Sequence, residues 1–402
     1  MATVYLAIGT AKVGTTAVQS FLRENEKNLE KQGYCYPFMD LGLEGRLFNR
    51  NAHFLIYAAE DVADREEKKE KIAQVRESGF QILDGLAKEF PNIIISDELI
   101  WQRSSKKPGF WKNVKAQFEK IGCDVKIIVY LRRQDLFIQS FWRQSVKAMS
   151  RLEKTFEECI GNGKFDYYPL DYYQQLCKIQ TSLGKENMIV RVYENDQFEG
   201  EEHSIFSDFL KYVGVQMTDE FTKDFTQEDF KSSNIGLEGN YLEIKRLLNG
   251  VPEYKDMEDF MRNPIYLANC YQMGLKLHSK VGMFSYEEQL EYMQQFDEGN
   301  RKVAKEFLGR KDGKLFYEPI ESMPKWKIEP ETMYRDLLMC MAEIFCQQEK
   351  KIIMQKQELD ARKKEFNAQK KEIAKLKSKV EKIDKSLIFR SYRKAREVLK
   401  KS

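Results

Sequence analysis

Two glycines frame the first segment able to do chemistry, Gly9-Thr-Ala-Lys12-Val13-Gly14-Thr15-Thr16, between a short apolar run and a helical pattern. Glycines there let backbone N–H groups approach an anion, and the start of the following helix adds a favourable dipole. A Walker loop reads GxxxxGK[ST]. In this chain Thr15 takes the lysine's place and the lysine stands three residues earlier, at Lys12. A nucleoside triphosphatase without that lysine loses its contact to the β- and γ-phosphates, whereas a phosphosulfate needs a cation beside its bridging oxygen.

A second constellation follows the apolar run Ile127-Ile-Val-Tyr-Leu131, where Arg132 leaves a strand and Ser140 comes eight residues later on a helical pattern. Arg132 supplies a forked charge for a phosphate at a strand's C-terminal end, the edge where open α/β sheets bind ligands. Ser140, about two turns into the helix, contacts the same phosphate if that group lies along the helix. A third segment, Val190-Arg-Val-Tyr193, ends another strand-like run.

The elements that must hold these residues are legible as apolar runs. Residues 3–8, 34–36, 92–95, 125–131 and 188–193 read as strands, each followed by a helical or polar stretch. Thr15 to Lys31 reads as one helix through Val18, Phe21, Leu22 and Leu29, and Ile205 to Val213 as another. Strands alternating with helices imply an α/β fold, a P-loop-like parallel β-sheet flanked by helices. Residues 211 to 324 read as largely helical.

The chain has 402 residues, and its seven cysteines, odd in number and without a CxxC pair, suit a reducing compartment rather than a disulfide framework or a zinc site. The N-terminus lacks the pattern of a signal peptide, and no apolar run approaches the ~18 residues that span a bilayer. A cytoplasmic protein is therefore expected, with no nucleic-acid partner. The net charge of +3 hides an asymmetry: from Glu349 onward 19 basic residues face 8 acidic ones, leaving 47 against 55 in the remainder. The expected organisation is one domain over 1–329 and a basic helical C-terminal extension over 330–402. In the extension Ile352, Leu359, Phe366, Ile373, Val380 and Leu387 recur every seven residues. Their heptad partners are apolar only late, at Leu376 and Ile383, so a coiled coil that makes a homo-oligomer and a charged helix laid on its own domain both fit. Residues 386–402 combine apolar and basic side chains as a helix lying on an anionic membrane surface would, which allows peripheral contact with the inner membrane face.

Residues 1 to about 320 resemble the sulfotransferases that use 3′-phosphoadenosine 5′-phosphosulfate (PAPS), particularly bacterial and carbohydrate-type members. The resemblance rests on the Lys12-Val-Gly-Thr-Thr16 loop after a strand and on Arg132 with Ser140, with weaker echoes at Tyr193 and in 300–316. It implies PAPS as co-substrate, 3′-phosphoadenosine 5′-phosphate (PAP) as product, no metal, and a small-molecule or glycan acceptor. Gly9, Lys12, Val13, Gly14, Thr15 and Thr16 would then hold the 5′-phosphosulfate, Arg132 and Ser140 the 3′-phosphate, and Tyr193 the adenine, with Lys12 also stabilising the departing phosphate. Similar members place a base either on the loop after the second strand, which here holds His53, or at the end of the next strand, which here ends in Glu98. His203 and His278 read as surface residues. Glu98 also fits the first turn of a helix capped by Ser96 or Asp97, and Asp97 permits a Walker-B reading with Mg²⁺. The alternatives are an ATP-dependent P-loop kinase and a non-catalytic nucleotide-binding scaffold with an oligomerising tail.

Overall fold

The computed structural model describes residues 1–41, 50–59, 62–147, 151–200, 202–221, 237–252, 267, 270 and 281–400. His278 and residues 42–49 of the polar loop after the second strand lie outside the described residues, as does much of the stretch 222–280.

Five strands occur among the described residues: β1 (Ala2–Ala7), β2 (Tyr34–Cys35), β3 (Asn92–Ser96), β4 (Cys123–Leu131) and β5 (Met188–Val192). All pair in parallel, in the order β2-β3-β1-β4-β5. The central strands read as near-continuous apolar runs because both faces are covered, and Ile93, Ile94 and Ile95 have no exposed surface at all. The sheet is flanked by helices, as the alternating pattern requires.

The helices that bear on the site are α1 (Thr15–Glu24), α2 (Glu26–Lys31), α3 (Arg65–Leu86), α4 (Leu99–Ser105), α5 (Phe110–Lys120), α6 (Gln134–Lys147), α7 (Phe156–Gly161), α8 (Tyr172–Leu183) and α9 (Ile205–Val213). Val18, Phe21 and Leu22 of α1 meet Phe209, Leu210 and Val213 of α9 over Tyr5, Ile94, Ile128 and Tyr130 of the sheet. Elsewhere Phe80 of α3 packs edge to face between Phe54 and Phe118 of α5, with ring centroids 5.3 and 5.4 Å apart.

Sequence periodicity makes Thr15–Lys31 one helix, and the structure corrects this. Asn25 is buried, and both its backbone N–H and its side-chain amide donate to the Phe21 carbonyl, at 3.1 and 3.0 Å. An asparagine that bonds its own backbone in this way competes with helix continuation, so α1 ends there and α2 starts afresh.

The chain divides into two compact units, Met1–Pro330 and Glu331–Ser402. The second is dominated by one helix over Pro330–Asp384, 55 residues long. A further helix, Leu387–Leu399, follows, and the Ser386 side chain caps it by accepting from the Phe389 N–H. Among the described residues no helix is long and apolar enough to cross a membrane.

Candidate functional site

The C-terminal ends of β1, β3 and β4 lie side by side, and each delivers part of the site. After β1 the chain is anchored to β4: the Ile8 N–H donates to the Ile128 carbonyl, and the Thr10 N–H and hydroxyl both donate to the Tyr130 carbonyl. The loop is propped from the other side by Tyr168, whose buried hydroxyl accepts from the Ala11 N–H at 2.7 Å. Lys12 then adopts φ 69 and Gly14 φ 72. Left-handed backbone costs a non-glycine residue about 1–2 kcal/mol, and strain of this kind gathers at functional loops. At Gly14 a Cβ would sit 3.4 Å from the Tyr193 phenol oxygen, an ordinary contact, so it is the positive φ that favours glycine there while the Tyr193 ring lies against the loop. Helix α1 starts at Gly14 with no side-chain cap and no acid in its first turn. Its opening N–H groups, those of Thr15 and Thr16 among them, are thus uncapped by any side chain beside a loop held in anion-binding form.

Two cations converge on that loop. Lys12 donates to Gln144 Oε1 of α6 at 3.0 Å. Burial first, and then the charges of Arg132 and Lys147, push its pKa down to about 8, with Glu98 opposing. Arg132, at the end of β4, donates through Nη1 to the Lys12 carbonyl at 2.6 Å, and its guanidinium lies 5.8 Å over the Tyr193 ring. Burial lowers its pKa too, and its Nε is buried without a hydrogen-bond partner. Among the described residues neither Lys12 nor Arg132 has an ion pair. The neighbouring Arg133 does the opposite job. It is buried against Asp135 at 2.8 Å and the carbonyls of Glu318 and Pro319, which makes it structural. The backbone of Arg132 is held from behind, where the Tyr172 hydroxyl donates to its carbonyl at 2.6 Å.

Ser140, Gln144 and Lys147 recur at i, i+4 and i+7 on α6 and so share one face of that helix. Gln144 and Lys147 both act on Lys12, so this is the face turned toward the loop. Tyr193 follows β5, its N–H donating to the Leu131 carbonyl at 2.8 Å, which sets its ring beside Gly14 and Arg132.

The end of β3 carries the remaining groups. Asn51 fastens the chain before His53 to this edge, donating to the Pro37 and Ile94 carbonyls and accepting from the Ser96 N–H. His53 thereby meets Asp97, with Nδ1 2.9 Å from Oδ2. Asp97 has no exposed surface, and its Oδ1 accepts from Arg50 at 2.6 Å and from the Leu99 N–H at 2.9 Å. Glu98 itself takes the N-cap position of α4 without a side-chain cap bond, so it does not sit in the first turn, and Asp97, one residue earlier, accepts from the Leu99 N–H instead. The Glu98 carboxylate accepts from Gln19 at 3.3 Å and lies 3.7 Å from Arg50 Nε. Asp97, the partner of His53, and Glu98 are thus grouped around one arginine, Arg50, and Glu98 is felt electrostatically at Lys12.

The structure gathers the predicted loop residues, Arg132 and Tyr193 in one place, sets Ser140 on the α6 face that acts on Lys12, and puts His53 and Glu98 at the adjoining strand end. Sequence reading misses Asp97 as the partner of His53, Gln144 as the partner of Lys12, and Tyr168 and Tyr172 as props. Both tyrosines are buried. Among the described residues no group of three His, Cys, Asp or Glu side chains is placed to hold a metal ion.

No family model matches the chain. A curated relative, an uncharacterized protein of Archaeoglobus fulgidus, is 26% identical over 241 residues, a match covering 56% of this chain and 60% of the relative. The chain therefore spans less than two thirds of that relative's length. Among solved structures, a sulfotransferase from Alicyclobacillus acidocaldarius is similar at 12% identity and a TM-score of 0.33, over 64% of this chain and 94% of that one. A likeness of that size carries no argument about function.

Proposed function

We propose that this chain is a PAPS-dependent sulfotransferase that moves a sulfuryl group to a hydroxyl or amine of a glycan or polysaccharide precursor. One observation carries the reading: two desolvated cations without carboxylate partners, Lys12 and Arg132, flank a strained loop at the uncapped start of α1. Burying a cation with no counter-charge is unfavourable, and a ligand bearing two separate anionic groups relieves it at both positions.

In this reading the loop Gly9–Thr16 and Lys12 receive the phosphosulfate. Arg132 and Ser140 receive the 3′-phosphate, and Tyr193 packs beside the nucleotide. His53 is the base: Asp97 accepts from Nδ1–H, which leaves Nε2 as the lone-pair nitrogen. The acceptor oxygen or nitrogen attacks sulfur in line and its proton passes to Nε2. The sulfur–oxygen bond to the phosphate breaks, and its electron pair remains on PAP, where Lys12 stabilises the growing charge. Glu98 already faces Gln19 and Arg50 and holds the arginine that braces Asp97. The choice of glycan rests on the resemblance to carbohydrate-type members. A kinase reading places Mg²⁺ on Asp97, but both oxygens of that carboxylate are engaged by protein donors.

Incubating the chain with PAPS labelled in the sulfuryl group and a pool of glycan precursors tests the proposal. Label should pass to the acceptor with release of PAP. A chain that neither transfers label nor releases PAP above background would sink the reading.

A further inference from the structure

The helix over Pro330–Asp384 runs without a break through the whole heptad pattern, so one register holds along its length. With Ile352, Leu359, Phe366, Ile373 and Val380 at position a, position d falls on Gln355, Arg362, Gln369, Leu376 and Ile383. The apolar members are 48–65% exposed in the single chain. The flanking positions carry a second pattern that the apolar stripe does not require. Position e is Lys356, Lys363, Lys370 and Lys377, and position g starts with Glu358, Glu365 and Glu372.

We infer that this face pairs with a second copy of the same chain as a parallel, in-register, two-stranded coiled coil over about 352–383. In a parallel dimer each g residue meets the e residue of the next heptad on the other helix. That sets Glu358 against Lys363, Glu365 against Lys370, and Glu372 against Lys377, each pair occurring twice by symmetry. An antiparallel dimer instead brings g to g and e to e, glutamate onto glutamate and lysine onto lysine. The charge pattern therefore selects both the partner and its direction. Ile373 at a followed by Leu376 at d is the combination that favours two strands. One heptad earlier, Lys351 would face Lys356, so the pairing begins at Ile352. The polar d residues Gln355, Arg362 and Gln369 weaken the N-terminal half, and Ile373, Leu376, Val380 and Ile383 anchor the C-terminal half. Within one chain Glu358 pairs with Arg362 at 2.7 Å and Lys363 approaches Asp360 at 3.9 Å. Both are exposed surface pairs that give way easily to an interhelical partner.

Sedimentation equilibrium of the full chain at about 50 μM should give the mass of two chains. In a Cys346→Ser background, Leu376→Cys should form a disulfide-linked dimer in a glutathione buffer, because the two d residues face each other only in the parallel register. The Cys346→Ser parent, with Leu376 intact, serves as the control. Converting Glu358, Glu365 and Glu372 together to Lys, or Lys363, Lys370 and Lys377 together to Glu, should weaken dimerisation at least about tenfold. Mixing those two variants should restore a two-chain species containing one of each. A monomeric wild-type chain would mean that the face covers something else, and would overturn the inference. So would a mass of three or more chains, a Leu376→Cys dimer that fails to cross-link, or a mixture that does not re-form the heterodimer.

Discussion

His53 Nδ1 lies 2.9 Å from Asp97 Oδ2, on a carboxylate with no exposed surface whose other oxygen is held by Arg50. With Asp97 accepting from Nδ1–H, the acceptor's proton passes to Nε2 in the proposed mechanism. His53→Ala should lower the transfer rate by about 10²-fold or more with PAP affinity intact. Glu98→Gln should keep most of the rate. If the two variants exchange these outcomes in single-turnover assays, Glu98 is the base.

Arg132 predicts a selective loss. Truncating a buried charge that meets a phosphate costs about 2–4 kcal/mol, so Arg132→Ala should weaken PAP binding by that amount in calorimetry. Adenosine 5′-phosphosulfate, which lacks the 3′-phosphate, should bind almost as before. Arg132→Lys should not rescue, because one ammonium cannot replace a fork that also donates to the Lys12 carbonyl. Equal weakening of both nucleotides would make Arg132 structural.

Lys12 gives the site a pH dependence. Its pKa stands near 8 in the free protein, pushed down by burial and by Arg132 and Lys147. A bound anion favours the protonated lysine. PAP affinity should therefore be level below about pH 8 and fall roughly tenfold per pH unit above it. Without ligand the sign reverses for folding. Between about 8 and the ordinary 10.5 the unfolded chain binds this proton and the folded chain does not, so this lysine makes the fold more stable as pH rises through that window. Lys12→Met should flatten both profiles and nearly abolish turnover. Calorimetry and thermal melts across pH 7–10 check this, and an unchanged binding profile would contradict the assignment.

The terminal helix Leu387–Leu399 has a separate expectation. Leu387 and Ile388 are more than 80% exposed, at 81% and 84%, beside Arg390, Arg393, Lys394 and Arg396. This composition suits peripheral attachment to an anionic membrane face, each basic residue contributing about 1 kcal/mol. A chain ending at Asp384 should keep its oligomeric state and lose binding to phosphatidylserine vesicles in flotation assays. Full-length chain that ignores such vesicles at low salt would remove the membrane role.

The sheet was legible in the sequence because strands buried on both faces must be apolar throughout, as at Ile93–Ile95 and Ile127–Leu131. The turn between β1 and α1 was legible because the chain passes there through left-handed backbone that favours glycine, as at Gly14. What escaped notice was non-local. Asp97 and His53 are 44 residues apart, Lys12 and Gln144 132 apart, and Ala11 and Tyr168 157 apart. No local pattern marks a side chain whose partner arrives only when the sheet assembles. The division of labour between Arg132 and Arg133 was equally invisible, since it depends on Asp135 and on carbonyls near Pro319 reaching one of the two and not the other. The break at Asn25 turns on a side chain folding back onto the Phe21 carbonyl, which helical periodicity does not register.

Whether Lys12 and Arg132 form a site for a nucleotide bearing a 3′-phosphate decides the proposed function. Calorimetric titration of the full chain with PAP in the presence of a chelator, and with ATP and Mg²⁺ in parallel, tests it most directly. Saturable one-to-one PAP binding is expected in the micromolar range or tighter, about −8 kcal/mol, weakened by Arg132→Ala and accompanied by at best weak ATP binding. Tight Mg²⁺-dependent ATP binding with no heat from PAP would contradict it.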